Sequence, residues 1–312
     1  MSSMNFNPAT QLNENIQAII IGVESSDTQD TLSIEDSLNE LKDLAKTAQI
    51  TITEMFFQKQ KKPLAGTYIG KGKVEEIKEF IDASCIQCVL IDDDLTPAQS
   101  KYLEQAFNTK VIDRTGLILD IFAKRAQTYE AKLQIELAQL NYILPRLTRL
   151  WTHLSRLGGG IGTRGPGETQ LEVDKRQLSK RVTHIKSKLK KIQNDRHLRR
   201  TKRQQLPLIK GAIVGYTNAG KSTLMNRLTT SQVLAEDKLF ATLDPTSRKY
   251  QLNNSEQIIL TDTVGFIQKL PTLLIKAFYS TLEEVTDADF LLHVVDASHP
   301  CFEEFISTSQ QI

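Results

Sequence analysis

The segment Gly215-Tyr216-Thr217-Asn218-Ala219-Gly220-Lys221-Ser222 constrains this chain more than any other. It follows an apolar run, Leu208 to Val214, and leads into a helical pattern, Thr223 to Leu228. G-x-x-x-x-G-K-S therefore stands between a strand and a helix, as a phosphate-binding loop requires. Each residue type has a physical reason. Glycines let backbone N–H groups wrap phosphate oxygens, the helix N-terminus adds positive potential, Lys221 neutralises β and γ oxygens, and the Ser222 hydroxyl is a ligand for Mg²⁺. All eight residues are candidate nucleotide contacts.

Two further stretches follow at even intervals. Thr242, within Phe240-Ala241-Thr242-Leu243-Asp244-Pro245-Thr246, lies 20 residues beyond Ser222, and Asp262, within Asp262-Thr263-Val264-Gly265, lies 20 beyond Thr242. D-x-x-G is a weak motif alone. After a phosphate loop, and at the end of the strand Gln257 to Leu260, it gains force. Asp262 can hold Mg²⁺ through water and the Gly265 N–H can sense a γ-phosphate, which is the logic of a nucleotide switch. Thr242 is then the threonine that closes over Mg²⁺, with Thr246 as its rival. After Gly265 comes Phe266, which has no hydrogen-bonding group where many such enzymes place a water-orienting glutamine. Slow unassisted hydrolysis is expected, and no residue is assigned as catalytic.

Ahead of the loop, the chain changes character twice. From Ile16 to Ile112, apolar strands (Ile16 to Val23, Ile50 to Phe57, Ile86 to Ile91, Val111 with Ile112) alternate with helical patterns at Ser33 to Ala48, Val74 to Ala83 and from Thr96, which argues for a small parallel α/β domain over residues 1–116. Gly66, Gly70 and Gly72 fit a turn, not a dinucleotide fingerprint. Cys85 and Cys88 form a C-x-x-C without a second pair, so burial rather than metal binding is expected. Residues 117–205 instead carry two heptad seams: Leu133, Leu137, Leu140, Leu144 and Leu147, then Leu178, Val182, Ile185, Leu189 and Ile192. A glycine-rich stretch, 158–167, separates them, so an antiparallel coiled-coil hairpin is predicted, its first arm running from Lys124 to Thr152 with Pro145 as a kink.

Charge singles out the second arm. The whole chain is +2, yet Lys175 to Arg203 holds 13 Lys or Arg against one acid, Asp195, giving +12 there and leaving −10 for the remainder. Such a segment is either a solvated helix face or an arm for RNA phosphates, with Arg149, Arg156 and Arg164 towards the tip. Tyr142 and Trp151 are the scarce aromatics, so contact driven by shape and backbone is expected. Hydrophobic residues at 40% and charged residues at 24% exclude collagen-like and wholly disordered classes. No apolar run approaches the roughly 18 residues of a membrane span, and the first 25 residues, with no Lys or Arg, show no secretory signal. A cytoplasmic location is expected.

Several strings together resemble one family: GYTNAGKSTLMNRLT, FATLDPTSR, TDTVGFIQKLP, FLLHVVDASHP, GGGIGTRGPGETQLEVDKR, IFAKRAQTYEAKLQIELAQLNYILPRL and TYIGKGKVEEI. They are similar to the HflX family of ribosome-associated GTPases, within the Obg-related translation-factor GTPases. The resemblance implies an α/β chain: the N-terminal subdomain, the helical hairpin and, over 206–312, a Ras-like P-loop G domain. It implies GTP as substrate, Mg²⁺ held by Ser222 and Thr242, switch I at Phe240, Ala241, Thr242, Leu243 and Asp244, and switch II at Asp262, Thr263, Val264 and Gly265. It further implies a monomer that binds the large (50S) ribosomal subunit and its RNA, in the splitting and rescue of stalled ribosomes under stress. The glycine loop would reach the RNA. No N-K-x-D follows the strand Phe290 to Val295, so the G domain is incomplete in its base-recognition part; weak GTP binding with poor discrimination against ATP is expected. The competing reading is a nucleotide-independent RNA- or ribosome-binding module with a vestigial G domain, and a third is an ATP-driven enzyme.

Overall fold

Strand β1 (Ile16–Ser25) runs buried from Ala18 to Val23, as a central strand of a parallel sheet must. Helix α1 (Ile34–Thr47) follows, its N-terminus closed by Ser33, whose hydroxyl accepts from the Asp36 N–H. Next come β2 (Ile50–Gln60), α2 (Lys71–Ser84), β3 (Cys88–Ile91), α3 (Pro97–Phe107) and β4 (Lys110–Asp113). Helix α3 starts with a capping box between Thr96 and Gln99 and Pro97 in its first turn. The four strands form one parallel sheet in the order β2-β1-β3-β4. Ile19, Ile21, Val89 and Ile91 meet Ile77, Ile81, Leu103 and Phe107 in its core.

The structure is a computed structural model and describes residues 16–26, 32–150, 166–203, 208–229, 238–252, 257–271, 274 and 279–311. The chain divides into two compact units, Met1–Ile121 and Phe122–Ile312, the division falling inside helix α4 (Arg114–Arg125). The glycine-rich stretch up to residue 165, with Trp151, Arg156 and Arg164, lies outside the described residues, as does the side chain of Arg149.

In the second unit, α5 (Tyr129–Leu150) and α6 (Pro166–Arg203) pack through Leu133, Ile185 and Leu189, flanked by Leu137, Leu140 and Ile192. Arg181 grips Glu136 with two bonds of 2.7 and 3.0 Å, and Arg196 meets Glu130 at 3.2 Å, so the helices run antiparallel. The first arm departs from the sequence reading in its start. It begins at Tyr129 rather than Lys124, because α4 ends at Arg125 and Thr128 opens a new helix by accepting from the Ala131 N–H at 3.2 Å. The helix continues through Pro145 to Leu150.

The remaining elements are β5 (Ile209–Gly215), α7 (Lys221–Thr229), β6 (Thr246–Gln251), β7 (Gln257–Asp262), α8 (Tyr279–Thr286), β8 (Phe290–Val294) and α9 (Phe302–Gln311). Their sheet is ordered β6-β7-β5-β8, parallel except for the β6–β7 pair. Ile213, Met225, Ile258 and Leu260 form the core beneath α7. Parallel register sets Ile213 beside Asp262, which brings the end of β7 against the loop that leaves β5.

Candidate nucleotide site

The loop 215–222 bends between β5 and α7. Gly215 has φ +148°, and a Cβ there would lie 2.2 Å from the Val294 carbonyl oxygen, so no other residue fits the turn. The Tyr216 ring stacks on Phe305 of α9 at 3.8 Å with the planes 7° apart, and its hydroxyl accepts from the Gln268 N–H at 2.8 Å. Lys221 is buried, with its ammonium donating to the carbonyls of Gly215 at 3.1 Å and Tyr216 at 2.6 Å. Burial pushes its pKa down to about 8, against the pull of the Asp262 charge.

A cavity opens above the loop, lined by Asn218, Gly220, Lys221, Ser222, Thr242 and Gly265, among others. Three oxygens crowd together beside it, two from the lining residues Ser222 and Thr242 and the third from buried Asp262. Ser222 Oγ lies 2.7 Å from Thr242 Oγ1, Ser222 Oγ lies 2.6 Å from Asp262 Oδ2, and Thr242 Oγ1 lies 3.1 Å from the same oxygen. Two hydroxyls supply two protons for three contacts. The other carboxylate oxygen, Asp262 Oδ1, is buried without a hydrogen-bond partner. Burial raises the Asp262 pKa, while the Ser222 hydroxyl, the Lys221 charge, the Thr242 hydroxyl and the Thr263 amide hold it down.

The segments anticipated from the sequence are distributed unevenly about this cavity. Thr217, Asn218, Gly220, Lys221, Ser222, Phe240, Ala241, Thr242, Thr263 and Gly265 line it. Leu243 and Val264 are buried in the packing instead. Thr246 starts β6 in register with Asp262. Asp244 turns its carboxylate to the start of α5, accepting from the N–H groups of Gln127 at 3.0 Å and Thr128 at 3.1 Å. Phe266 is buried and pairs with the loop: its N–H donates to Gly215 O at 3.1 Å and its carbonyl accepts from the Thr217 N–H at 2.7 Å. Sequence reasoning missed Lys238 at the cavity wall and the Phe122 ring against Phe240 at 4.6 Å. Lys238 lies outside every quoted string, and Phe122, although inside one, carries no local signal that pairs it with Phe240.

A mixed sheet with a phosphate-type loop at the end of a central strand, and two segments folded over it, defines a P-loop GTPase domain. Family models agree. Residues 35–123 match one described as GTP-binding GTPase N-terminal, 125–203 one described as GTP-binding GTPase Middle Region, and 210–311 one described as 50S ribosome-binding GTPase. The chain is 52% identical over 298 residues to GTPase HflX of Caldanaerobacter subterraneus subsp. tengcongensis, covering 95% of this chain and 68% of that one. With GTPase HflX of Escherichia coli (strain K12), identity is 46% over 290 residues, 93% of this chain and 67% of the relative. A solved structure, SsGBP in complex with GDP, superposes with a TM-score of 0.54 at 26% identity, covering 95% of this chain and 76% of that one.

The chain belongs to the HflX family of GTPases, and it spans about two thirds of the length of the curated relatives it matches. The family resemblance noted in the sequence holds, and the enzyme class it implied, a GTP hydrolase, is that of the family. Among the described residues no helix is long and apolar enough to cross a membrane.

Proposed function

We propose that this chain binds GTP with Mg²⁺ in the cavity above the loop 215–222 and, as part of a GTP-hydrolysing protein, associates with the large ribosomal subunit in the cytoplasm. The observation that carries the nucleotide part is the oxygen cluster of Ser222, Thr242 and Asp262 with the orphaned Asp262 Oδ1. Hard oxygen donors, one of them anionic and short of protons, suit Mg²⁺ in kind and charge. Ser222 and Thr242 would hold the ion directly and Asp262 through water. Bound there, the ion would supply charge neutralisation to the phosphates.

The chain's own groups complete the site. The amides of the loop 215–222 wrap the phosphates, and Lys221 exchanges its two carbonyl partners for phosphate oxygens, which relieves the cost of its buried charge. Gly265 brings an N–H to the γ-phosphate side. Phe266 offers no hydrogen bond to an attacking water, which supports slow hydrolysis without an outside activator. The basic helix α6, with its exposed Lys186, Lys190 and Lys191, supports RNA contact, and the description of the matched family as ribosome-binding agrees with it.

The test is the Lys221→Ala variant with purified large subunits. Loss of fluorescent GTP-analogue binding, with subunit association no longer responding to nucleotide, is expected; chelating Mg²⁺ should likewise weaken the unaltered chain for triphosphate more than for diphosphate. Unchanged, nucleotide-insensitive association in both the unaltered and variant chains would favour the RNA-binding module without a working G domain.

A further inference from the structure

The Asp244 carboxylate has three partners, all at the base of the helical hairpin. Besides the two N–H groups, its Oδ1 accepts from the Thr128 hydroxyl at 2.5 Å. The same hydroxyl oxygen accepts from the Ala131 N–H at 3.2 Å, so Thr128 is at once the cap of α5 and the anchor for Asp244. An anion against the positive end of a 22-residue helix is a favourable, charge-assisted contact. Asp244 lies two residues from Thr242, with buried Leu243 between them.

The other end of this short segment is fixed as well. The Phe240 N–H donates to Thr217 Oγ1 at 2.9 Å, its ring meets Phe122 edge to face, and its backbone sits at φ 57°. Switch I is thus pinned to the phosphate loop at Phe240 and to the hairpin at Asp244. The Thr242 hydroxyl is suspended between the two pins. A second tie reaches the helix after switch II: Arg196 of α6 meets Glu130 in the first turn of α5 at 3.2 Å and Glu283 of α8 at 3.4 Å.

We propose that Asp244 is a positioning residue whose bonds to Thr128 and Gln127 hold the Thr242 hydroxyl at the metal site, coupling triphosphate binding to the base of the hairpin. This rests on the reading of Thr242 as a Mg²⁺ ligand. Coupling of this kind is reciprocal: whatever the hairpin does for Thr242, bound Mg²⁺ and triphosphate do for the start of α5. Diphosphate, which does not engage switch I, gains little from the tie.

The experiment measures affinities of fluorescent GTP and GDP analogues with Mg²⁺ for the 312-residue chain and its variants. Thr128→Ala and Asp244→Ala should each cut the preference for triphosphate over diphosphate by about 5- to 10-fold, near the low end of common coupling. The double variant should be no worse than either single one, and Thr128→Ser should restore the preference. In a Thr242→Ala background, Thr128→Ala should have no further effect. If Thr242→Ala abolishes the preference while Thr128→Ala leaves it intact, the tie is overturned and the metal reading stands. If Thr242→Ala changes nothing, both fall together. Amide hydrogen exchange in the unaltered chain gives a check free of folding defects: Mg²⁺ with GTP analogue should slow exchange at Gln127 and Thr128 by the same factor. No slowing there would also overturn the proposal.

Discussion

A methyl group on Gly265 would lie 2.5 Å from the Thr217 Cα, a backbone atom that cannot easily give way, and 2.9 Å from the Lys221 ammonium. Gly265→Ala is therefore expected to push switch II off the loop, lowering GTP turnover about tenfold or more, a loss of about 1.4 kcal/mol of transition-state stabilisation. Diphosphate affinity, which needs no contact from Gly265, should hold; a single-turnover assay beside a GDP-analogue titration checks both. The two cysteines of the C-x-x-C differ in the same local way. Burial pushes the Cys88 thiol up to about 12, whereas Cys85 is exposed. A thiol reagent at pH 8 should label Cys85 quickly and Cys88 only after unfolding, as read by mass spectrometry. Because the folded pKa lies above the ordinary value of about 8.5, Cys88 adds stability that is complete below pH ~8.5 and is lost as pH rises towards 12. The burial anticipated for the motif was legible in sequence for Cys88, within an apolar strand. For Cys85 the expectation of burial fails: that residue ends α2 in a left-handed conformation at φ 51° and is exposed.

At the scale of elements, periodicity was the dependable signal. The seam residues Leu133, Val182, Ile185 and Leu189 are buried because a 3.5-residue repeat keeps one stripe facing its partner helix. Ile185 is fully buried between the two arms, so Ile185→Ala should destabilise the second unit by about 2–5 kcal/mol, measured by urea unfolding. What periodicity could not give was the break between α4 and α5. Both flanks of Ala126-Gln127-Thr128 are helix-forming, and the interruption depends on Thr128 bonding a carboxylate from another element. The first unit hides a similar case. Arg114 is buried, bonding Asp92 at 2.9 Å and also Glu40, while the Ser37 hydroxyl donates to Asp92 at 2.6 Å. Removing the guanidinium leaves Asp92 buried with less compensation, so Arg114→Ala should cost about 3–5 kcal/mol. A melting transition unmoved by that change would show the cluster to be of little structural weight.

For the molecule as a whole, charge distribution matters more than its sum. The +12 of Lys175 to Arg203 lies on one helix, on which Lys175, Arg176, Lys180, Lys186, Lys190 and Lys191 are exposed while Arg181 and Arg196 pair with acids of α5. On the RNA contact proposed for this arm, the log of the affinity for large subunits should fall by several units per decade of salt. Replacing Lys188, Lys190 and Lys191 together should flatten that slope and weaken subunit binding without changing nucleotide affinity, as filter binding at a series of salt concentrations would read. A salt-independent affinity would remove the electrostatic account of the arm.

Local chemistry alone pointed to the phosphate loop, the candidate oxygens at 222, 242 and 262, the helix starts at Ser33 and Thr96, and the two seams. In each the signal lies within a few residues or in a fixed repeat, where backbone geometry leaves little choice. Tertiary structure decided where the remaining polar groups go. Asp244 finds partners 116 and 117 positions away, Phe240 finds Phe122, and Arg196 joins α5 to α8. A carboxylate or a guanidinium can satisfy itself with any donor or acceptor that packing brings near, and only the folded chain says which one that is.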